Sequence, residues 1–394
     1  MQKKFYFVSI LLGLSLFLAV SGCDFHVANW FRAKYERTVQ KQIPLDLGSN
    51  LVAKTSSGSI MVTGADVSDC NVVALICVQA PDEQQAWETA EQVEVVLEKV
   101  GNTLIVKAEK PLKRQKCSIS VSYDITVPRK TNVECVSSYG PVKLSNIQGN
   151  AKGESSSGSI FAEYIRGSAN LHTSYGSVTC RNISGSNIVL QSSSGSIKAE
   201  QIKGSADLNT SYGSITCQDI SGPDIKLRAS SGGINLSGVS GDSFDVQSSY
   251  GSIKADKLTT KLLKLHSGSG SIDVTDASVD SADLFTAYGR INCRKFTTMD
   301  LTAQTGSGNI NIACSDSTPP EINANVVTSY GSVDFQTPPD FTGRVDMSTD
   351  YGTVNTQLPI TTSGKISKKK LAGIIGRGNG KLYLKTSSGS IKIR

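Results

Sequence analysis

The sequence is short of the residues from which many enzymes build a reaction centre. It holds three histidines, aromatic residues are 6% of its 394 positions, and no CxxC pair or Cys/His cluster suggests a metal. Charge of one sign is scarce as well. Lys+Arg 40 against Asp+Glu 34 leaves +6, or +4 once Lys3 and Lys4 depart with the leader read below, too mild for a nucleic-acid-binding surface. The apolar run near the start, Phe5 to Val20, is 16 residues, whereas a spanning helix needs about 20. Hydrophobic residues at 38% with 36 glycines match an ordinary soluble globular chain rather than a disordered one. A core can form, and the wealth of Gly, Ser and Thr points to short strands and turns.

Residues 1–22 read as a signal peptide: a Lys3-Lys4 n-region, the apolar run, and Val20-Ser21-Gly22 before Cys23. These last four residues resemble the bacterial lipobox, which implies that Cys23 becomes the first mature residue and carries lipid. More than one acyl chain, at about 0.8 kcal/mol per buried methylene, anchors a protein without a spanning helix. Asp24 resembles an inner-membrane retention signal, but the membrane stays open. Residues 23–45, with Trp30, Phe31, Lys34, Tyr35 and Arg37, have no clean period and read as a tether.

Residues 46–132 read as a small strand–helix–strand entry domain. Leu51-Val52-Ala53, Ile60-Met61-Val62 and Asn71 to Val78 are rich in β-branched residues. Ala86, Ala90, Val93, Val96, Leu97 and Val100 then recur at three and four residues, predicting one helix over about 82–100 that Gly101-Asn102 stops. The domain would cap a repeat array, whose open strand edge otherwise recruits other chains.

The array occupies 133–394. Glycines at 140, 158, 176, 195, 213, 232, 251, 270, 289 and 308 are separated by 18, 18, 19, 18, 19, 19, 19, 19 and 19 residues, with looser copies at Gly331, Gly352 and Gly389 and an early one at Gly58. Each sits in a unit of the form Ser/Thr-Ser-x-Gly-Ser-Ile, its glycine expected to supply a turn conformation. Within Gly195 to Tyr212, Ile197, Ala199, Ile202, Ala206, Leu208 and Thr210 alternate with polar residues, predicting strands with one buried face. The fold expected is all-β, a parallel β-solenoid (β-helix) with about 18–19 residues per coil. A coil of 37–38 competes, because Tyr and Ser alternate before the glycine. Charges favour the shorter coil. The series Asp207, Lys226, Asp245, Lys264, Asp283 and the series Glu163, Arg181, Glu200 then put opposite signs on neighbouring rungs, whereas the longer coil stacks like on like at roughly 0.2–1 kcal/mol each.

The repeated unit, the strand–helix–strand entry, Ile125-Thr126-Val127-Pro128 and the ending Gly376-Arg377-Gly378-Asn379-Gly380 to Ile391 resemble a bacterial family of adhesin-like β-strand-repeat domains of unknown function, over about 46–394. The resemblance implies an envelope-associated β-solenoid and offers no catalytic residues.

The residues themselves offer little chemistry. Cys180, Cys217 and Cys293 fill the slot that Ala162 and Ala199 fill elsewhere and read as core, two rungs or more apart and beyond disulfide reach. Cys70, Cys77, Cys117 and Cys135 leave one entry-region disulfide an open question. His172 and His266 share an outward slot among Gln191, Asn209, Arg228 and Gln247, so solvated surface is expected rather than catalysis. Asp207, Asp245 and Asp283 are spread too regularly for the paired carboxylates of a polysaccharide-degrading enzyme. Lys365, Lys368, Lys369 and Lys370 form a basic run in a loop. Tyr139, Tyr175, Tyr212, Tyr250 and Tyr288, with Tyr330 and Tyr351, mark a strand end. Outward-facing, they would make a row of rings able to hold sugars; the parity of Ala206, Leu208 and Thr210 favours inward corner packing. The expectation is a non-enzymatic cell-envelope lipoprotein, an adhesin-like or scaffold interaction module held to a membrane by lipid on Cys23. It would need no cofactor or metal, bind an envelope protein or glycan, and bind no nucleic acid. The alternatives are a glycan-binding solenoid or a carbohydrate-active β-helix.

Overall fold

The computed structural model of the chain describes residues 33–111, 116–362 and 367–394. One coil supplies one rung of a parallel β-solenoid, and the coil is 18–19 residues: Ile197 pairs with Ile215, Ile215 with Ile234 and Ile234 with Ile253. The charge series pair as opposites, Asp207 beside Lys226, Lys226 beside Asp245 and Lys264 beside Asp283. Arg181 meets Glu200 at 2.6 Å. The strand Ile197–Thr210 buries Ile197, Ala199, Ile202, Ala206, Leu208 and Thr210 and turns the rest outward. Each buried Ile or Leu contributes about 1.5–3 kcal/mol. Because a rung touches only its neighbours, the core is a continuous column rather than a sphere.

Alternation slips once per coil, between Ala199 and Ile202, where Gln201 takes a left-handed conformation with φ 55. Asn182, Asp219, Gly238, Lys257 and Asp276 hold the same corner at φ 52, 53, 65, 53 and 55. Asn, Asp and Gly adopt this region readily; the long side chains at the remaining corners are held there by the stack around them.

At both ends the stacking order departs from chain order. Near the start, the rung of Asn50–Thr55 and Ile60–Ala65 lies between an outer rung, Thr103–Glu109 with Ser118–Pro128, and an inner one, Asn132–Ser137 with Val142–Ser145. At the other end, the last strands of the chain, Gly380–Ser388 and Ile391–Ile393, slot between Asn323–Tyr330 with Val333–Gln336 and Gly343–Tyr351 with Val354–Thr356. Antiparallel strands close both ends: Asp69–Ala80 on Ser118–Pro128, and Lys370–Ile375 on Gly343–Tyr351.

Three expectations about the entry region are corrected. Residues 33–44 of the expected tether form the strand Ala33–Pro44, antiparallel to Asp69–Ala80; a 12-residue partner with an unpaired edge was available to it. The helix spans Glu83–Gln92, with Asp82 accepting from the Gln85 backbone N–H at 2.8 Å, and does not run to 100. The β-branched Glu94–Val100 is a strand that turns back through Gly101-Asn102 onto Thr103–Glu109, so the supposed helix stop is a hairpin turn. Nor is 46–132 separate from the array, since Asn50–Thr55 pairs directly with Asn132–Ser137.

Candidate functional site

The most regular surface feature grows out of the Ser/Thr-Ser-x-Gly corner. Its first residue points inward and its hydroxyl joins two rungs: Thr210 accepts from the Gly213 N–H at 3.2 Å and donates to the Gly195 carbonyl at 2.8 Å. Ser155, Thr173, Ser192, Ser248, Ser267 and Thr286 repeat this bridge. The marker glycine is needed for a different reason from the one expected. From Gly140 to Gly331 these glycines lie outside the left-handed region; a Cβ on Gly195 would overlap the carbonyl of Gly176, and one on Gly213 that of Gly195. Glycine stacks on glycine because nothing larger fits between the rungs.

This tight corner expels residue x. Tyr139, Tyr175, Tyr212, Tyr250, Tyr288, Tyr330 and Tyr351 are 68–77% exposed. Inward packing is therefore corrected. Parity counted along the strand stops being valid at Thr210, where the chain bends, and both Ser211 and Tyr212 leave the core. The rungs between carry Ser57, Ser157, Ser194, Ser231, Ser269 and Ser307 at the same place. The alternation survives the rearranged end, for Ser388 lies between Tyr330 and Tyr351 in space though not in sequence. Rings thus recur every second rung, about 9.6 Å apart.

Beside the rings runs the column Gln191, Asn209, Arg228, Gln247, His266, Phe285, each paired with the next. Between column and corner lies a groove lined by Asn209, Arg228, Gln247, Tyr250, His266 and Tyr288. Its basic groups are paired: Arg228 reaches Asp245 at 3.3 Å and Asp207 at 3.9 Å, and His266 Nε2 lies 3.0 Å from Asp283 Oδ2. The carboxylate beside His266 was not anticipated; the register pairs His266 with Phe285, and Asp283, opposite Lys264, reaches the ring diagonally. The His266 ring also meets Phe285 edge-on at 5.6 Å. The expected outward slot holds, with His172 exposed and His266 half-buried.

Burial pushes the Cys70 thiol up to about 12 and raises Cys180, Cys217 and Cys293, so none is a ready nucleophile. Cys70, Cys77, Cys117 and Cys135 are free thiols in this structure. Among the described residues no group of three His, Cys, Asp or Glu is placed to hold a metal ion. Lys368, Lys369 and Lys370 are exposed at the terminal cap, with Lys369 over the Tyr351 ring at 5.6 Å. Lys365 and Cys23 lie outside the described residues.

The stacked-glycine unit has a counterpart among known families: the model of Toastrack DUF4097 matches residues 112–237 and 207–346. The chain belongs to this family. No curated protein matches the sequence. Among solved structures, this Toastrack chain is similar to a "putative cell adhesion protein" from Clostridium sporogenes, at 9% identity over 91% of this chain and 99% of that one, TM-score 0.21. It is similar to a "putative adhesin" from Bacteroides fragilis at 12% identity, over 91% and 97%, TM-score 0.20. A "putative lipid binding protein" from Parabacteroides distasonis matches at 12%, over 91% and 96%, TM-score 0.19.

Proposed function

We propose that this Toastrack protein is a non-enzymatic, adhesin-like interaction module of the bacterial cell envelope. Lipid on Cys23 holds it to a membrane after export, and the tyrosine row is its binding face, centred on Tyr139, Tyr175, Tyr212, Tyr250 and Tyr288. The observation that carries the reading is the outward Tyr/Ser alternation, kept in spatial order even where chain order is rearranged. Packing has no use for a mostly exposed ring, and exposed aromatic rows are suited to partner surfaces. The pairing of the basic groups beside the row favours a contact made by rings and hydrogen bonds rather than by free charge.

Two measurements test it. Cys23→Ser moves the protein from the membrane fraction to the soluble one and abolishes palmitate labelling; retention of both overturns the anchor. The variant Tyr250→Ala/Tyr288→Ala, folded by circular dichroism, loses most of its retention on delipidated envelopes. Unchanged retention overturns the face.

A further inference from the structure

We infer that the tyrosine row reads an extended, uncharged β-1,4-linked glycan lying along the solenoid axis, two sugars for every two rungs. This rests on the tyrosine row being the binding face. The argument is one of period. Rings stand two rungs apart, about 9.6 Å, and the disaccharide of an extended β-1,4-linked chain has about this length, because each sugar is flipped relative to the last. Every second sugar then presents the same face at the same interval, so a straight chain meets Tyr212, Tyr250 and Tyr288 in turn without bending. The Ser rungs between leave room for the flipped sugar, whose hydroxyls face Ser231 and Ser269.

The flanking column has the matching chemistry. On the Tyr212 and Tyr250 rungs it offers the amides of Asn209 and Gln247, able to donate to and accept from sugar hydroxyls, the Gln247 Nε2 also donating to Asp245 at 2.8 Å, while the Tyr288 rung carries Phe285. Arg228 on the intervening rung is occupied by Asp245 and Asp207, and His266 by Asp283, so these groups leave no surplus positive charge to attract a polyanion. A polyproline II peptide, at three residues and about 9.3 Å per turn, has a similar period, but it is read by rings set close together across a groove, and the peptide arm of the test below separates the two ligands. Here each ring is separated from the next by a serine, which suits a ligand that needs one flat face per repeat.

The test uses the full-length protein in detergent with β-1,4-linked N-acetylglucosamine and glucose oligomers of two, four and six sugars, an α-1,6-linked glucan and a polyproline peptide. Calorimetry is expected to show affinity for the β-1,4 oligomers rising about tenfold per added disaccharide, as each reaches one more ring. The α-1,6 glucan and the peptide do not bind. Tyr250→Ala weakens the six-sugar oligomer about tenfold and Tyr250→Phe leaves it within about twofold. Ser231→Tyr, which adds a ring in the flipped sugar's place, weakens binding, whereas a merely sticky aromatic surface would bind more tightly. All these side chains sit on the surface, and a thermal melt verifies folding. Binding of the peptide in place of the glycans, or stronger binding by Ser231→Tyr, overturns the inference. If no β-1,4 oligomer binds while envelope retention still depends on Tyr250 and Tyr288, the glycan assignment falls and the binding face stands; if retention ignores those rings, both fall.

Discussion

The middle of the solenoid and its two ends are made of the same unit, yet only in the middle does chain order equal stacking order. From Val178 to Thr286 each coil lies on the one before it, in strands of 14 or 15 residues. At both ends a rung is inserted between two others, so that the last 15 residues of the chain are flanked on both sides. A repeating array has no reason of its own to stop. Rearranged rungs with antiparallel covers stop it, hiding the edges that would otherwise accept another chain.

The largest way to break this comparison is to remove 380–394. That rung pairs with Asn323–Tyr330 on one side and Gly343–Tyr351 on the other, so its loss unseats everything outside it. Hydrogen exchange is expected to show protection lost over 343–356 and retained over 197–267. Protection of 343–356 in the truncated chain would mean that the outer rung stands by its antiparallel cap alone.

A smaller effect separates the stacked glycines of the middle from the turn glycines of the ends. Gly195→Ala places a Cβ against the Gly176 backbone, which can yield only by parting two rungs, at about 3–5 kcal/mol. Gly101→Ala, in the hairpin turn at φ +57 with open space around it, meets only the left-handed penalty of about 1–2 kcal/mol. Urea unfolding of the two variants gives the ratio, and equal losses would refute the stacking explanation.

The contrast between middle and ends also marks what the sequence makes legible. A period of 18–19 identifies the rung, its inward Ile and Leu positions and the opposite charges on neighbouring rungs, because all three are properties of adjacent copies. It does not say which copy is adjacent once order is rearranged. A signal was there: in sequence order the corner reads Ser307, Tyr330, Tyr351, Ser388, and only placing Ser388 between the two tyrosines restores alternation. The outward rings were misread because strand parity was carried through a bend. Glu94–Val100 was misread because valines at helical spacing also suit a strand once Gly101-Asn102 folds them back. The strand Ala33–Pro44 alternates half-buried and exposed residues, too weak a contrast to reveal itself.

Alkaline pH should weaken the middle through its buried thiols. Burial raises the folded-state value of Cys217 above the ordinary 9.0, so the folded chain keeps a proton that the unfolded chain releases. Stability is therefore unaffected below about pH 9 and falls above it, by up to about 1.4 kcal/mol per pH unit for each such thiol. Between pH 8 and 10 the native protein is expected to lose about 1.4 kcal/mol more than Cys217→Ala. Alanine is the natural control because Ala199 fills the same slot one rung away. Parallel pH curves for the two proteins would show that the thiol is not shielded.

The smallest effect has the opposite sign. In the middle of the array one rung lacks its buried hydroxyl, since Ala229 stands where Thr210 and Ser248 bridge glycines on either side. No hydroxyl there reaches the Gly213 carbonyl or the Gly232 N–H. Ala229→Ser adds one oxygen at a buried position whose neighbours show the geometry it would take, with bonds of 2.8–3.2 Å. Two neutral hydrogen bonds, less the cost of burying a hydroxyl, are expected to stabilise the protein by about 1 kcal/mol. At the first rung Thr55 bonds the carbonyls of Ser57 and Val121 instead of a stacked glycine, whereas at the other end Thr349 and Thr386 still donate to Gly389 and Gly331 at 2.8 Å. Differential urea midpoints decide it: a destabilised Ala229→Ser would mean that the serines and threonines of this column fill space, and that the glycine stack alone sets the corner.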